Sequence, residues 1–209
     1  MNALLPRRIG LLVHRTLAAA AVSLLACALP LACGHANTPA AAPASASGLE
    51  RFLPLTDKYI YTYETVRDDT RERDMFMVRV RRRDASTAEL ITGARIRSLI
   101  VEPDAIRRRE GGYLLRAPLQ VGATWAGDNG GQTRVVDTSA TVDVPAGKFQ
   151  GCVRTVEELA AGAKGRITTS YCPDVGIAQM IIEEPADGEM VVQRVSLHSY
   201  GPPVDLGAR

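Results

Sequence analysis

Residues 148–200 read KFQGCVRTVEELAAGAKGRITTSYCPDVGIAQMIIEEPADGEMVVQRVSLHSY. Two turn sequences punctuate this stretch, Gly162-Ala163-Lys164-Gly165 and Pro185-Ala186-Asp187-Gly188. Between them, Pro173-Asp174-Val175-Gly176 interrupts pairing as the corner of a curved sheet would. Four short runs remain: Lys148–Leu159, Arg166–Cys172, Ile177–Glu184 and Glu189–Tyr200. Runs of this length joined by tight turns predict an antiparallel meander. A first hairpin centred on Gly162 brings together residues equidistant from it, and Cys152 and Cys172 are such a pair. They are expected to face each other across adjacent strands, at a separation that suits a bridge.

The same period-two pattern recurs upstream. Tyr59-Ile60-Tyr61-Thr62-Tyr63-Glu64-Thr65-Val66 alternates, as do Met75–Arg81 and Ala94–Leu99. In the second of these, Phe76, Val78 and Val80 share one face and Arg79 and Arg81 the other. Arg83-Asp84-Ala85-Ser86, Glu110-Gly111-Gly112 and Asp128-Asn129-Gly130-Gly131 supply further turns. No run of ten or more residues carries a helical stripe, and only Leu49–Leu55 suggests a single helical turn. The expected fold is all-β: a curved antiparallel sheet, half-barrel or open barrel, of about 8–10 strands with little helix.

The domain occupies residues 49–200 and is long enough to bury a proper core. Residues 1–32 read as a lipoprotein-type signal peptide: Arg7, Arg8 and Arg15 precede an uncharged apolar run from Leu17 to Ala32. The run is shorter than a comfortable membrane span of about 20 residues. Two cysteines resemble the lipidated cysteine of bacterial lipoproteins. Cys27 has the better preceding residues. Cys33 is preferred because lipidation there leaves Cys152 and Cys172 as a pair, whereas cleavage at Cys27 strands Cys33. The alternative is ordinary cleavage after Ala36, giving a soluble periplasmic or secreted protein. Residues 33–48, rich in Ala, Pro and Ser, form a tether, and residues 201–209 a disordered tail. The expected location is the bacterial cell envelope, anchored by lipid on the periplasmic face of the outer membrane. In that oxidising space a Cys152–Cys172 disulfide is expected, the alternative being two reduced core thiols.

Charge narrows the partners. Of 25 basic residues three lie in the leader, which leaves 22 against 23 acidic residues, the first of them Glu50. A nucleic-acid partner is therefore not expected. Pro118-Leu119-Gln120-Val121-Gly122-Ala123-Thr124-Trp125, Val144–Cys152 and Tyr171–Gly176 form a series of motifs, PLxxGxxW, VPAGxFxxC and YxPxVG. The series resembles a group of bacterial secreted and lipoprotein domains of unknown function, distantly similar to the half-barrels of the LolA and LppX carriers. The resemblance covers residues 118–176, and the meander fits it to about residue 200. It implies a curved antiparallel β-sheet and brings no known chemistry with it. The residues themselves read as structural anchors: Gly122 a bend, Trp125 a core residue, Pro145 and Gly147 a turn into the strand of Phe149.

No catalytic set assembles. His14 and His35 precede the domain, and only His198 lies within it. One histidine provides neither a triad with a matching nucleophile nor a zinc site. No catalytic residue, metal or cofactor is expected. All but three of the basic residues are arginine. Arg79 and Arg81 share one strand face, and Arg95 and Arg97 share another. They form an anion-gripping ligand face if their strands are neighbours, or pair with acids across strands if not. Tyr59, Tyr61 and Tyr63 line a ligand surface or form a sheet-stabilising ladder. The expected protein is a non-catalytic binding module for a lipid or other hydrophobic ligand. The alternatives are an accessory envelope protein that binds another protein through its sheet and, third, a carboxylate-based hydrolase. A hollow apolar interior favours the first, a filled core with an exposed apolar patch the second, converging acids the third.

Overall fold

The computed structural model describes residues 48–159, 165–186 and 188–203. They form twelve strands: β1 Ile60–Arg67, β2 Arg73–Arg82, β3 Thr87–Thr92, β4 Arg95–Val101, β5 Ala105–Arg108, β6 Tyr113–Arg116, β7 Thr124–Ala126, β8 Gln132–Val144, β9 Gly147–Glu158, β10 Arg166–Cys172, β11 Gly176–Ala186 and β12 Glu189–Gly201. All pair antiparallel in one sheet of order β6-β5-β4-β3-β2-β1-β12-β11-β10-β9-β8-β7. Sequence neighbours are spatial neighbours throughout, except that β1 pairs with β12 in the middle. The sheet is thus two meanders zipped along the first and last strands. There is no helix among the described residues. Leu49–Leu53 makes one turn, with Leu53 N–H bonded to the Leu49 carbonyl at 3.1 Å.

The sheet curls until its edges almost meet. Tyr113 on β6 bridges Gly127 just past β7, and the Trp125 indole N–H donates to the Tyr113 carbonyl at 3.2 Å. Near-closure covers the sheet edge at β6 and β7, while residues 136–144 of β8 have a strand partner only in β9. The alternating strands lie as expected, but the count is twelve rather than eight to ten. The difference lies in pieces too short or too irregular for alternation to register. β5 and β6 have four residues each and β7 has three, while β8 shifts register between Val135 and Val142, so its buried parity changes midway.

The main core joins Leu49, Leu53 and Leu55 of the N-terminal turn to Val80, Leu99, Ile106, Leu115 and Leu197 of the strands. A smaller cluster surrounds Trp125 with Val135 and Val153. Phe149 packs half-buried against the main core, edge-on to Tyr200. Gly122 (φ 91°) and Gly147 (φ 137°) adopt backbone angles that glycine tolerates best. Val144 pairs with Gly147, so Pro145 and Ala146 form the tight β8–β9 turn. Pro173–Val175 is a hairpin turn between neighbouring strands, with Cys172 paired to Gly176 and a register shift just before it. Cys152 and Cys172 are disulfide-bonded, with Cα atoms 4.1 Å apart. The β9–β10 register from Arg166↔Glu158 to Tyr171↔Val153 is the one a hairpin centred on Gly162 requires. The turn residues themselves, 160–164, lie outside the described residues, as do the leader, Cys27, Cys33, most of the tether and most of the tail.

Candidate functional site

One side of the curled sheet retains a cavity of about 630 Å³. Its walls are the inward faces of β1, β2 and β3 on one side and β11 and β12 on the other. Tyr61, Tyr63, Phe76, Val78, Val80 and Leu90 meet Ile177, Met180 and Val195 there, with Leu53 and Leu55 as the floor. Strand pairing explains the wall. Tyr61 lies opposite Val78 and Tyr63 opposite Phe76, so one pleated face carries both tyrosines and the apolar parity of β2. The Tyr63 and Phe76 rings stack with centroids 5.3 Å apart.

The phenols do not make this wall polar. Tyr61 donates to the Pro54 carbonyl at 3.0 Å and Tyr63 to the Ile177 carbonyl at 3.1 Å. Burial, then the neighbouring Tyr59 and Tyr200, pushes the Tyr61 hydroxyl far above its ordinary pKa. Burial, then Tyr61 and Tyr171, does the same to Tyr63. Both remain neutral donors committed to backbone carbonyls, and the cavity sees ring faces. Tyr59, of the same parity, packs half-buried beside the core and is not part of the cavity lining.

Charge gathers where β4 and the β5–β6 turn reach the cavity: Arg95, Arg97, Arg108 and Glu110. The condition for a four-arginine face, that β2 and β4 be neighbours, is not met. β3 separates β2 from β4, and the pairing sorts the arginines to opposite sides. Val80, Leu90 and Arg97 form one inward row. Arg79, Ile91 and Ile96 form the alternate row, of which Ile96, next to the β3–β4 turn, still reaches the cavity rim. On that outer face Arg81 pairs with Glu89, and Arg83 reaches the same carboxylate at 3.1 Å. By parity Arg95 and Arg97 lie on the tyrosines' side, exposed at the rim of the cavity, and Arg95 also borders a second pocket with Arg79 and Ile91. The signal was in the sequence: Arg97 has the parity of Leu99 and Val101, both of which are buried.

Two acids were not anticipated. Asp128, after β7, binds Arg97 at 3.1 Å and also Arg108. Glu157 on β9 is 6% exposed and accepts from Asn129 N–H at 2.8 Å, Asn129 Nδ2 at 3.0 Å and Gly131 N–H at 3.0 Å. The turn Gly127–Gly131 wraps this carboxylate so closely that a Cβ on Gly127 would collide with it. Tyr171, with its hydroxyl bonded to the Leu114 carbonyl at 3.2 Å, lies nearby. Its pKa is raised by burial first, then by Asp128 and Glu157. This cluster ties the β7–β8 turn across the seam to β4 and β5. Glu157 shares the buried parity of Val153 and Thr155, which is the one trace of its role in the sequence. His198 is exposed on β12.

No protein-family model matches the chain, and no curated protein is similar to it in sequence. Among solved structures it is similar to a candidate exported protein with a YmcC-like fold from Bacteroides fragilis, at 14% identity and a TM-score of 0.47, covering 70% of this chain and 96% of that one. It is also similar to a candidate lipoprotein from Parabacteroides distasonis, at 10% identity and a TM-score of 0.46, covering 72% and 98%. Likeness at this level does not bear on function.

Proposed function

We propose that this protein is an exported, lipid-anchored binding module that holds a hydrophobic ligand inside its curled sheet, without catalysing a reaction. The observation that carries the reading is the apolar cavity of about 630 Å³, which lies within the roughly 300–1,000 Å³ of ordinary small-ligand sites. A core built only for stability fills to crystal-like density. Here the inward faces of β1–β3, β11 and β12 leave an apolar space beside the packed core, with its phenol groups already satisfied. Export is supported by the Cys152–Cys172 bridge, since disulfides persist in oxidising compartments. Anchoring at Cys33, or alternatively Cys27, rests on the leader.

Native mass spectrometry of protein purified without detergent from the periplasm of an expression host tests the reading. Expected is protein carrying extra mass that extracts into organic solvent, or that appears after lipids are offered. Protein that remains bare in both cases would overturn it. That outcome favours the second reading, a protein-binding accessory. Its supporting observation is the outer sheet surface, where Met75 and Met77 are 52% and 62% exposed.

A further inference from the structure

We infer that the ligand is a single-chain amphiphile with a compact anionic head, a carboxylate or phosphate, seated at Arg95 while its chain lies along Tyr61, Tyr63 and Phe76. This rests on the ligand-binding reading and narrows it to one chemical class. The argument starts from the sidedness of the cavity. Its wall is apolar from Leu53 to Val195, and its ionisable lining residues outside the tyrosines are Arg95, Arg97, Arg108 and Glu110, all from β4, β5 and the turn after it. A ligand matching that wall has one long apolar part and one charged end.

The sign of that end follows from which charges are already used. Asp128 is hydrogen-bonded to Arg97 at 3.1 Å and to Arg108 Nη2 at 3.2 Å. It neutralises one of the two and orients both. Arg95 makes no ion pair among the described residues. It shares an inward strand face with Arg97, roughly 7 Å further along. The lining and its Asp128 partner therefore sum to three cations against two acids, a surplus of one positive charge. A guanidinium presents paired N–H groups in a plane, the geometry that carboxylate and phosphate oxygens match. A neutral head leaves that fork unmatched, and a cationic head meets the surplus positive charge.

The test measures binding to the full exported protein at neutral pH and low salt, with every twelve-carbon probe below its micelle concentration. Dodecanoate and dodecyl phosphate are compared with dodecanol and dodecyltrimethylammonium, and with acetate and inorganic phosphate. The expected result is about tenfold tighter binding of the two anionic amphiphiles than of dodecanol, with no binding of the short anions. Arg95→Gln should remove that preference, and Arg95→Lys should restore part of it. Equal affinity for dodecanoate and dodecanol, or preference for the ammonium, overturns the inference and leaves the binding-module reading standing. Short anions binding as tightly as the amphiphiles would also overturn it, since the site would then be an ion site. If no twelve-carbon probe binds, the binding-module reading fails and takes the inference with it. Arg95 is exposed, and a circular dichroism melt of each variant separates lost binding from lost folding.

Discussion

Trp125 on β7 donates its indole N–H to the carbonyl of Tyr113 on β6, 3.2 Å away, across the gap between the two ends of a twelve-stranded sheet. β6 and β7 are the first and last strands in the sheet order, so this contact helps hold the barrel nearly shut. Gly112 reinforces it: a Cβ there would stand 2.5 Å from the Gly127 carbonyl oxygen. Trp125→Phe keeps most of the packing but removes the donor, at an expected cost of about 1–2 kcal/mol. Trp125→Ala should cost about 3–5 kcal/mol. Urea denaturation measures both, and hydrogen exchange should show the amides of Tyr113–Arg116 losing protection first. Wild-type stability in Trp125→Phe would mean that the seam does not depend on this bond.

The Cys152–Cys172 bridge closes a hairpin at a sequence separation of 20. Loop-entropy reasoning gives it about 3 kcal/mol. The double substitution Cys152→Ala, Cys172→Ala should lower the urea midpoint correspondingly. Alkylation of the unreduced, denatured wild-type protein should find neither thiol free.

Two adjacent glycines should behave very differently. At Gly130 (φ 84°) an added Cβ meets open space, so Gly130→Ala bears only backbone strain, about 1 kcal/mol. At Gly131 the Cβ would overlap the backbone carbonyl of Glu158. Gly131→Ala must displace the turn that holds the Glu157 carboxylate, with an expected loss of about 3 kcal/mol or more. Thermal melts of the two variants make the comparison, and equal effects would contradict the packing described.

Acid should destabilise the fold through surface carboxylates. Burial opposes ionisation of Glu89, but hydrogen bonds from Arg81 and Arg83 outweigh it, and its pKa falls below the ordinary value. Arg166 lowers Glu183 and Arg67 lowers Asp69 in the same way. A carboxyl with a depressed folded pKa holds fewer protons folded than unfolded. Its stabilisation is complete above the ordinary carboxylate range and is lost as pH falls through the depressed values. The melting temperature should therefore decline as pH falls from neutral toward 3, less steeply in Glu89→Gln. Added salt should weaken the effect, because these pairs face water.

How far the sequence could be read depended on how local each feature is. The register of β9 and β10 is set by one turn between them, so the facing of Cys152 and Cys172 followed from counting outward from Gly162. Trp125, Gly122 and the Pro145–Gly147 turn were legible because their demands, bulk or a backbone angle, belong to single residues. The alternation of Phe76, Val78 and Val80 against Arg79 and Arg81 was legible because a strand has period two. What the chain alone left open was which strands become neighbours and which way each faces. β3 inserts between β2 and β4 and puts Arg95 and Arg97 at the cavity rim, on the strand face opposite to that of Arg79 and Arg81. Asp128 meets Arg97 and Arg108 only because twelve strands curl far enough for the sheet ends to touch. The sequence by itself determined the longer strands, the β9–β10 hairpin and the bridge, whose physics acts over neighbouring residues. The tertiary structure decided the cavity, its single charged end and the acids that brace it. Those depend on curvature accumulated across the whole sheet, which no local pattern records.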